Sequence, residues 1–75
     1  MTVPLAHILV FKTTIQTVTD KQCVSTSLDA HEAIQAWTID LQDIDCVLRI
    51  ISATLTPEAI IHIITQHGFA CAELE

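Results

Sequence analysis

The side chains with the most chemical reach in this chain are three cysteines, Cys23, Cys46 and Cys71, and four histidines, His7, His31, His62 and His67. A soft metal ion or a redox cycle would call for two thiols in a C-x-x-C arrangement, and no two of these cysteines have that spacing. Their odd number and wide separation also argue against a disulfide framework. A three-cysteine zinc site would need all three to converge, which the elements described below do not suggest. Cys23 falls near a helix start, where a thiol can gain reactivity, although such a cysteine also serves as a small, partly buried apolar residue. Cys46 and Cys71 fall on strands and read as core or sheet-face fillers. His62 and His67 are five apart on one helix and miss the i, i+4 geometry of a helical metal pair. His67 near a helix C-terminus is accounted for as a favourable cation. Asp43 and Asp45 flank Ile44 in a turn; together they would hold a divalent cation only weakly, and a solvated turn is the reading preferred for them.

Catalysis is not expected. With one glycine in 75 residues there is no glycine-rich phosphate loop, and no Ser-His-Asp set or acid pair stands in a cleft-forming context. An acylphosphatase-type site would need an arginine in the first loop, and the one arginine, Arg49, falls on the third strand.

Nine acidic against three basic residues give a formal charge of −6. Three scattered cations cannot neutralise a run of phosphates, so nucleic acid is excluded as a partner, and anionic membrane surfaces are disfavoured for the same reason. A basic protein partner is compatible with the charge. Met1-Thr2-Val3-Pro4-Leu5-Ala6 lacks the basic region and long apolar run of a signal peptide, and a cytoplasmic protein is expected. Hydrophobic residues make up 51% of the chain, enough for a core without staples, and the length suits a single domain over residues 1–75.

The elements that must position these groups are legible from pattern. His7 to Ile15 is rich in β-branched and aromatic residues and predicts a mostly buried strand. Thr17-x-x-Asp20 and Thr19-x-x-Gln22 are capping-box patterns that predict a helix running to about Ala30, with a thin stripe of Val24 and Leu28 and with Cys23 beside it. From Ile34 to Leu41 residues alternate, Trp37, Ile39 and Leu41 against Ala36, Thr38 and Asp40, which predicts a half-buried strand with Trp37 in the core. Gln42 to Asp45 is a polar turn leading to a strand from Cys46 to Ile51, with Leu48 and Ile50 on one face and Arg49 on the other. Thr56-Pro57-Glu58 starts a second helix with an N-cap hydroxyl, a first-position proline and a first-turn acid. Ile60, Ile63, Ile64 and His67 follow at helical spacing, Gly68 caps the end, and Phe69 to Glu73 predicts a last strand. The order βαββαβ implies an α+β sandwich of the ferredoxin-like kind: two helices over one face of a four-stranded antiparallel sheet, with the first and third strands central.

Two stretches carry a resemblance. Ile34-Gln35-Ala36-Trp37-Thr38-Ile39-Asp40-Leu41 looks like a V-x-x-V-x-V-D-L second strand. Thr56-Pro57-Glu58-Ala59-Ile60-Ile61 with His67-Gly68-Phe69 looks like a P-E-x-I-I helix and its G-Y/F exit. Together they resemble the heavy-metal-associated domain of copper chaperones and metal-transporting ATPases over roughly residues 7 to 74. That family's metal site is G-M-x-C-x-x-C between the first strand and first helix. Aligned on it, Thr14-Ile15-Gln16-Thr17-Val18-Thr19-Asp20 keeps an apolar residue, Ile15, at the methionine, while Thr17 and Asp20 replace the cysteines. An alignment with a shorter helix puts Asp20 and Cys23 there instead. Neither supplies two thiolates, and Cu(I) held in near-linear geometry demands soft sulfur rather than hydroxyl or carboxylate oxygen.

The expectation is therefore a non-catalytic protein-interaction module with its metal site lost and no cofactor. The resemblance implies a docking surface from Thr14 to Val24, with Ile15, Thr17, Asp20 and Cys23 its marked residues, and a monomer or a weak homodimer associating through an exposed sheet edge is compatible with the pattern. The alternative is a Cu(I) or Zn(II) chaperone using Cys23 with a ligand supplied by its partner, in which Cys23, Asp20 and Thr17 are the candidate metal residues.

Overall fold

The structure, a computed structural model, describes residues 7–74; residues 1–6, on which the expectation of no signal peptide falls, and Glu75 lie outside the described residues. The elements are β1 (His7–Thr13), α1 (Val18–Ala30), β2 (Ala36–Asp40), β3 (Val47–Ser52), α2 (Pro57–Gln66) and β4 (Cys71–Glu73). They form one antiparallel sheet of order β2-β3-β1-β4, so β1 and β3 are central, as the right-handed crossover of each β-α-β unit requires. The βαββαβ sandwich predicted from pattern is the fold. Among the described residues no helix is long and apolar enough to cross a membrane.

Register explains which side chains are inside. Leu9 opposes Ile50, which opposes Trp37, and Phe11 opposes Leu48, which opposes Ile39. These rows face the helices. Phe11, Ile39, Leu48 and Ile50 pack there with Ile15, Val24 and Leu28, and with Ile60 and Ile64 of α2. Helix α1 buries only Val24 and Leu28, one turn apart, so the stripe is as thin as its Ser- and Thr-rich sequence implies. Trp37 is half-buried rather than central. Its indole N–H donates to Asp29 Oδ1 at 2.8 Å, and Lys21 Nζ sits 5.9 Å from its ring centroid, so the tryptophan braces β2 against α1 through polar as well as apolar contacts.

Strand boundaries differ from the pattern-based expectation: β2 spans Ala36–Asp40 rather than Ile34 to Leu41, β3 runs one residue further to Ser52, and three other ends shift. Strand β1 ends at Thr13, not Ile15, because the Thr13 hydroxyl accepts the Ile15 N–H and curls the chain off the sheet. Cys46 is not on β3. It occupies the left-handed region with φ 46°, its N–H donating to the Asp43 carbonyl to close the turn, and β3 begins one residue later. Strand β4 starts at Cys71 rather than Phe69, since Ala70 N–H is drawn to the Thr14 hydroxyl. The second helix begins as expected, with Thr56 as N-cap accepting from Ala59 N–H and Pro57 in the first turn. Gly68 follows it at φ 88°, a conformation that costs a Cβ-bearing residue about 1 kcal/mol.

Candidate functional site

The segment joining β1 to α1 is held from both sides by threonines. The Thr13 hydroxyl donates to the Cys46 carbonyl at 2.8 Å, and Thr13 N–H donates to the Asp45 carbonyl at 2.9 Å. Thr14 N–H donates to the Ala70 carbonyl at 3.2 Å, while the Thr14 hydroxyl accepts from Ala70 N–H at 2.9 Å. The segment is thus tied to the β2–β3 turn and to the entry of β4 before the helix begins. Thr14 opens the segment that the resemblance implies as a docking surface, and nothing in the sequence singles out Thr13. A hydroxyl at a strand end favours side chain–backbone bonding, but the partners here lie 33 and 56 positions away and leave no local signature.

Ile15 is fully buried and packs in the core under the segment. Thr17 is the helix N-cap in extended conformation (φ −125°, ψ 164°), and its hydroxyl accepts from Asp20 N–H at 3.0 Å. Asp20 reaches back, and its Oδ2 accepts from Gln16 N–H at 3.2 Å. The result is a reciprocal cap, a capping box whose return bond lands one residue before the N-cap. The Asp20 carboxylate also lies in the first turn, at the positive end of the helix dipole. Thr17 and Asp20 are therefore both engaged with backbone N–H groups.

Cys23 is exposed on α1, so the structure brings Gln16, Thr17 and Asp20 together but joins Cys23 to none of them by a hydrogen bond. Cys46 is buried, and Cys71 is partly buried on β4, where burial pushes its thiol pKa up to about 11. A thiol so raised is a poor nucleophile and a poor metal ligand at neutral pH. The histidines are dispersed. His31 Nδ1 accepts from Ala33 N–H, His62 Nε2 meets the Gln66 amide, and His67 Nε2 meets the Ser27 hydroxyl at 2.9 Å, linking the two helices. Asp43 Oδ1 accepts from Asp45 N–H at 2.8 Å, holding a tight turn that projects Ile44, which is 96% exposed. Among the described residues no three His, Cys, Asp or Glu side chains converge on a point that would hold a metal ion.

The donor set does not fit a soft cation. Thr17 offers a hydroxyl and Asp20 a carboxylate, both hard oxygen donors, whereas Cu(I) is selected by thiolate and thioether sulfur.

The βαββαβ sandwich is the fold of the heavy-metal-associated domains. Solved structures similar to it include the apo form of the HMA domain of a copper chaperone for superoxide dismutase (TM-score 0.80, 14% identity, covering 95% of this chain and 69% of that one). The copper(I)-loaded first domain of the human copper chaperone for SOD1 aligns with TM-score 0.78 and 16% identity over 92% of this chain and 93% of that one. The yeast copper transporter domain Ccc2a, solved in apo and Cu(I)-loaded states, aligns with TM-score 0.77 and 18% identity over 91% and 94%. At these identities the likeness is one of fold. No protein-family model matches the chain, and no curated protein matches it in sequence.

Proposed function

We propose that this domain is a non-catalytic protein-interaction module on a metallochaperone fold, with a capped helix start in place of the metal site. The observation that carries the reading is the reciprocal cap, Thr17 Oγ1 to Asp20 N–H and Asp20 Oδ2 to Gln16 N–H. It engages both residues that the Thr17 and Asp20 alignment sets at the cysteine positions, and it caps the helix start without a ligand. The docking surface runs from Thr14 to Val24, where Gln16, Thr17, Val18, Thr19, Gln22 and Cys23 are exposed. Asp20 on this segment, and Asp43 and Asp45 on the turn at the same end of the sheet, suit a partner with basic side chains facing them.

A second reading is favoured by one specific observation: Cys23 is an exposed thiol on the first helix of a fold whose similar structures include a copper chaperone domain and a copper transporter domain solved with Cu(I). In that reading Cys23 is one ligand and the partner supplies another. Titrating reduced protein with Cu(I) and Zn(II) while following backbone amide shifts separates the two. The interaction module leaves Thr14 to Val24 unshifted at stoichiometric metal. Saturating shifts there, abolished by Cys23→Ser, would establish the chaperone reading instead.

A further inference from the structure

Ile44 is the most exposed large apolar side chain among the described residues, 96% open to solvent at the tip of the β2–β3 turn. It is not loosely held. Asp45 N–H donates to Asp43 Oδ1 at 2.8 Å and Cys46 N–H to the Asp43 carbonyl at 3.0 Å, closing the turn. From β1, Thr13 donates its N–H to the Asp45 carbonyl and its hydroxyl to the Cys46 carbonyl. Cys46 stands at φ 46°, a conformation that a residue with a Cβ seldom adopts, and these bonds hold it there. An apolar group kept bare on a fixed support loses little freedom when a partner covers it, which is the property of an interface anchor.

The turn is continuous with the segment ahead of α1. The Thr13 hydroxyl that donates to Cys46 also accepts the Ile15 N–H, so one buried side chain ties the two together. Beside Ile44 lies an open, mostly apolar depression of about 240 Å³, lined by Thr14, Ile44, Asp45, Ala70 and Cys71, with Lys12 at its wall. Val18, exposed, begins the helix at the same end of the fold.

The charges at this end select the partner. Asp20, Asp40, Asp43 and Asp45 stand in the first turn of α1, at the end of β2 and on the turn. Of the cations, Lys21 lies over the Trp37 ring and Lys12 borders the depression on its β1 side. A second copy of this chain, at formal charge −6, brings the same acids against them and is repelled. Basic side chains are drawn to the turn, and Lys12 steers them away from β1.

We infer that the docking surface continues from Thr14–Val24 onto the β2–β3 turn, with Ile44 as its anchor, and that its partner is a protein segment carrying an apolar side chain beside Lys or Arg. The apolar side chain lies in the depression against Ile44, and its basic neighbours face Asp43 and Asp45. Such docking presupposes the interaction-module reading and gives it an anchor and a partner chemistry.

The test is a nuclear magnetic resonance titration of the full chain with two synthetic peptides, acetyl-Lys-Leu-Lys-amide and acetyl-Glu-Leu-Glu-amide. The basic peptide is expected to shift the amides of Thr14, Ile44, Asp45 and Cys71 and to saturate at about 1–10 mM. The acidic peptide binds about threefold or more weakly at low salt, and the gap closes at high salt. Ile44→Ser, at a position that contributes no burial to the core, weakens the basic peptide about five- to tenfold. Asp45→Asn weakens it about threefold. A basic peptide that shifts nothing at these amides, equal binding of the acidic peptide, or binding that Ile44→Ser leaves unchanged overturns the proposal. So do concentration-dependent shifts at Ile44 without peptide, which make a second copy the occupant. Shifts confined to Gln16 through Cys23 remove Ile44 from the surface but leave the interaction-module reading standing, and the Cu(I) titration decides that reading separately.

Discussion

Replacing Thr17 by alanine removes the oxygen that accepts the Asp20 N–H at 3.0 Å, and with it one half of the cap on α1. The site is exposed, so water can partly replace the lost acceptor, which places the cost near the middle of the 0.5–2 kcal/mol range for N-cap removal, about 1 kcal/mol. Asp20→Ala removes the return bond to Gln16 N–H and a first-turn carboxylate; the latter alone is worth about 0.3–1 kcal/mol at low salt. Asp20→Asn keeps an acceptor and loses the charge, so it should cost less than alanine, and the difference should shrink in high salt. Because the two residues share one cap, the double variant should cost less than the sum of the single ones. In a domain of this size 1 kcal/mol corresponds to about 4–8 °C in Tm, well resolved by calorimetry or by thermal unfolding followed by circular dichroism. A Thr17→Ala protein that melts within about 1 °C of the parent would refute the reasoning, as would strict additivity of the two substitutions.

Other outcomes follow from the same structure. Leu28→Ala or Ile60→Ala, each at a fully buried position, should destabilise by about 2–5 kcal/mol in urea unfolding. Asp29→Ala should cost about 1 kcal/mol and shift the indole N–H resonance of Trp37 by removing its acceptor at 2.8 Å. A thiol-alkylating reagent at mildly alkaline pH should modify exposed Cys23 well before Cys71 or buried Cys46, read by peptide mass mapping. Burial raises the Cys71 thiol from an ordinary 9.0 to about 11, so folded and unfolded chains both keep the proton below pH 9 and stability there owes nothing to titration of this group. As pH climbs from 9 toward 11 the unfolded chain loses that proton first, and folding stability should fall across the window. Cys71→Ala should flatten the fall.

The element order was readable because each segment carries a mutually consistent signal: alternation in β2, Thr56-Pro57 ahead of α2, Gly68 behind it. The shifted boundaries come from hydrogen bonds that hydropathy pattern does not reveal. The Thr13 hydroxyl takes the Ile15 N–H at the end of β1, and the Thr13 and Thr14 side chains also bond across the fold to Cys46 and Ala70, partners that a window of local sequence does not contain. Cys46 looked like a strand residue because cysteine suits a sheet, but the Asp43 carbonyl captures its N–H and the turn forces a positive φ. At the site, the Thr17-x-x-Asp20 spacing was enough to anticipate the N-cap. The return bond to Gln16 rather than to Thr17 itself depends on how the segment leaves β1 and has no sequence signature. Alternation marks which residues face away from the helices without telling how many of them remain bare.

The most direct test of the capped-loop account is a competition for Cu(I) between a chromophoric chelator and two proteins, the reduced wild type and Thr17→Cys/Asp20→Cys. The account predicts that the wild type draws no copper from the chelator. The double variant, whose two thiolates stand one helical turn apart at the N-terminus of α1, withdraws one equivalent and is less stable than the parent without metal. Stoichiometric capture by the monomeric wild type at an affinity comparable to the double variant would contradict it.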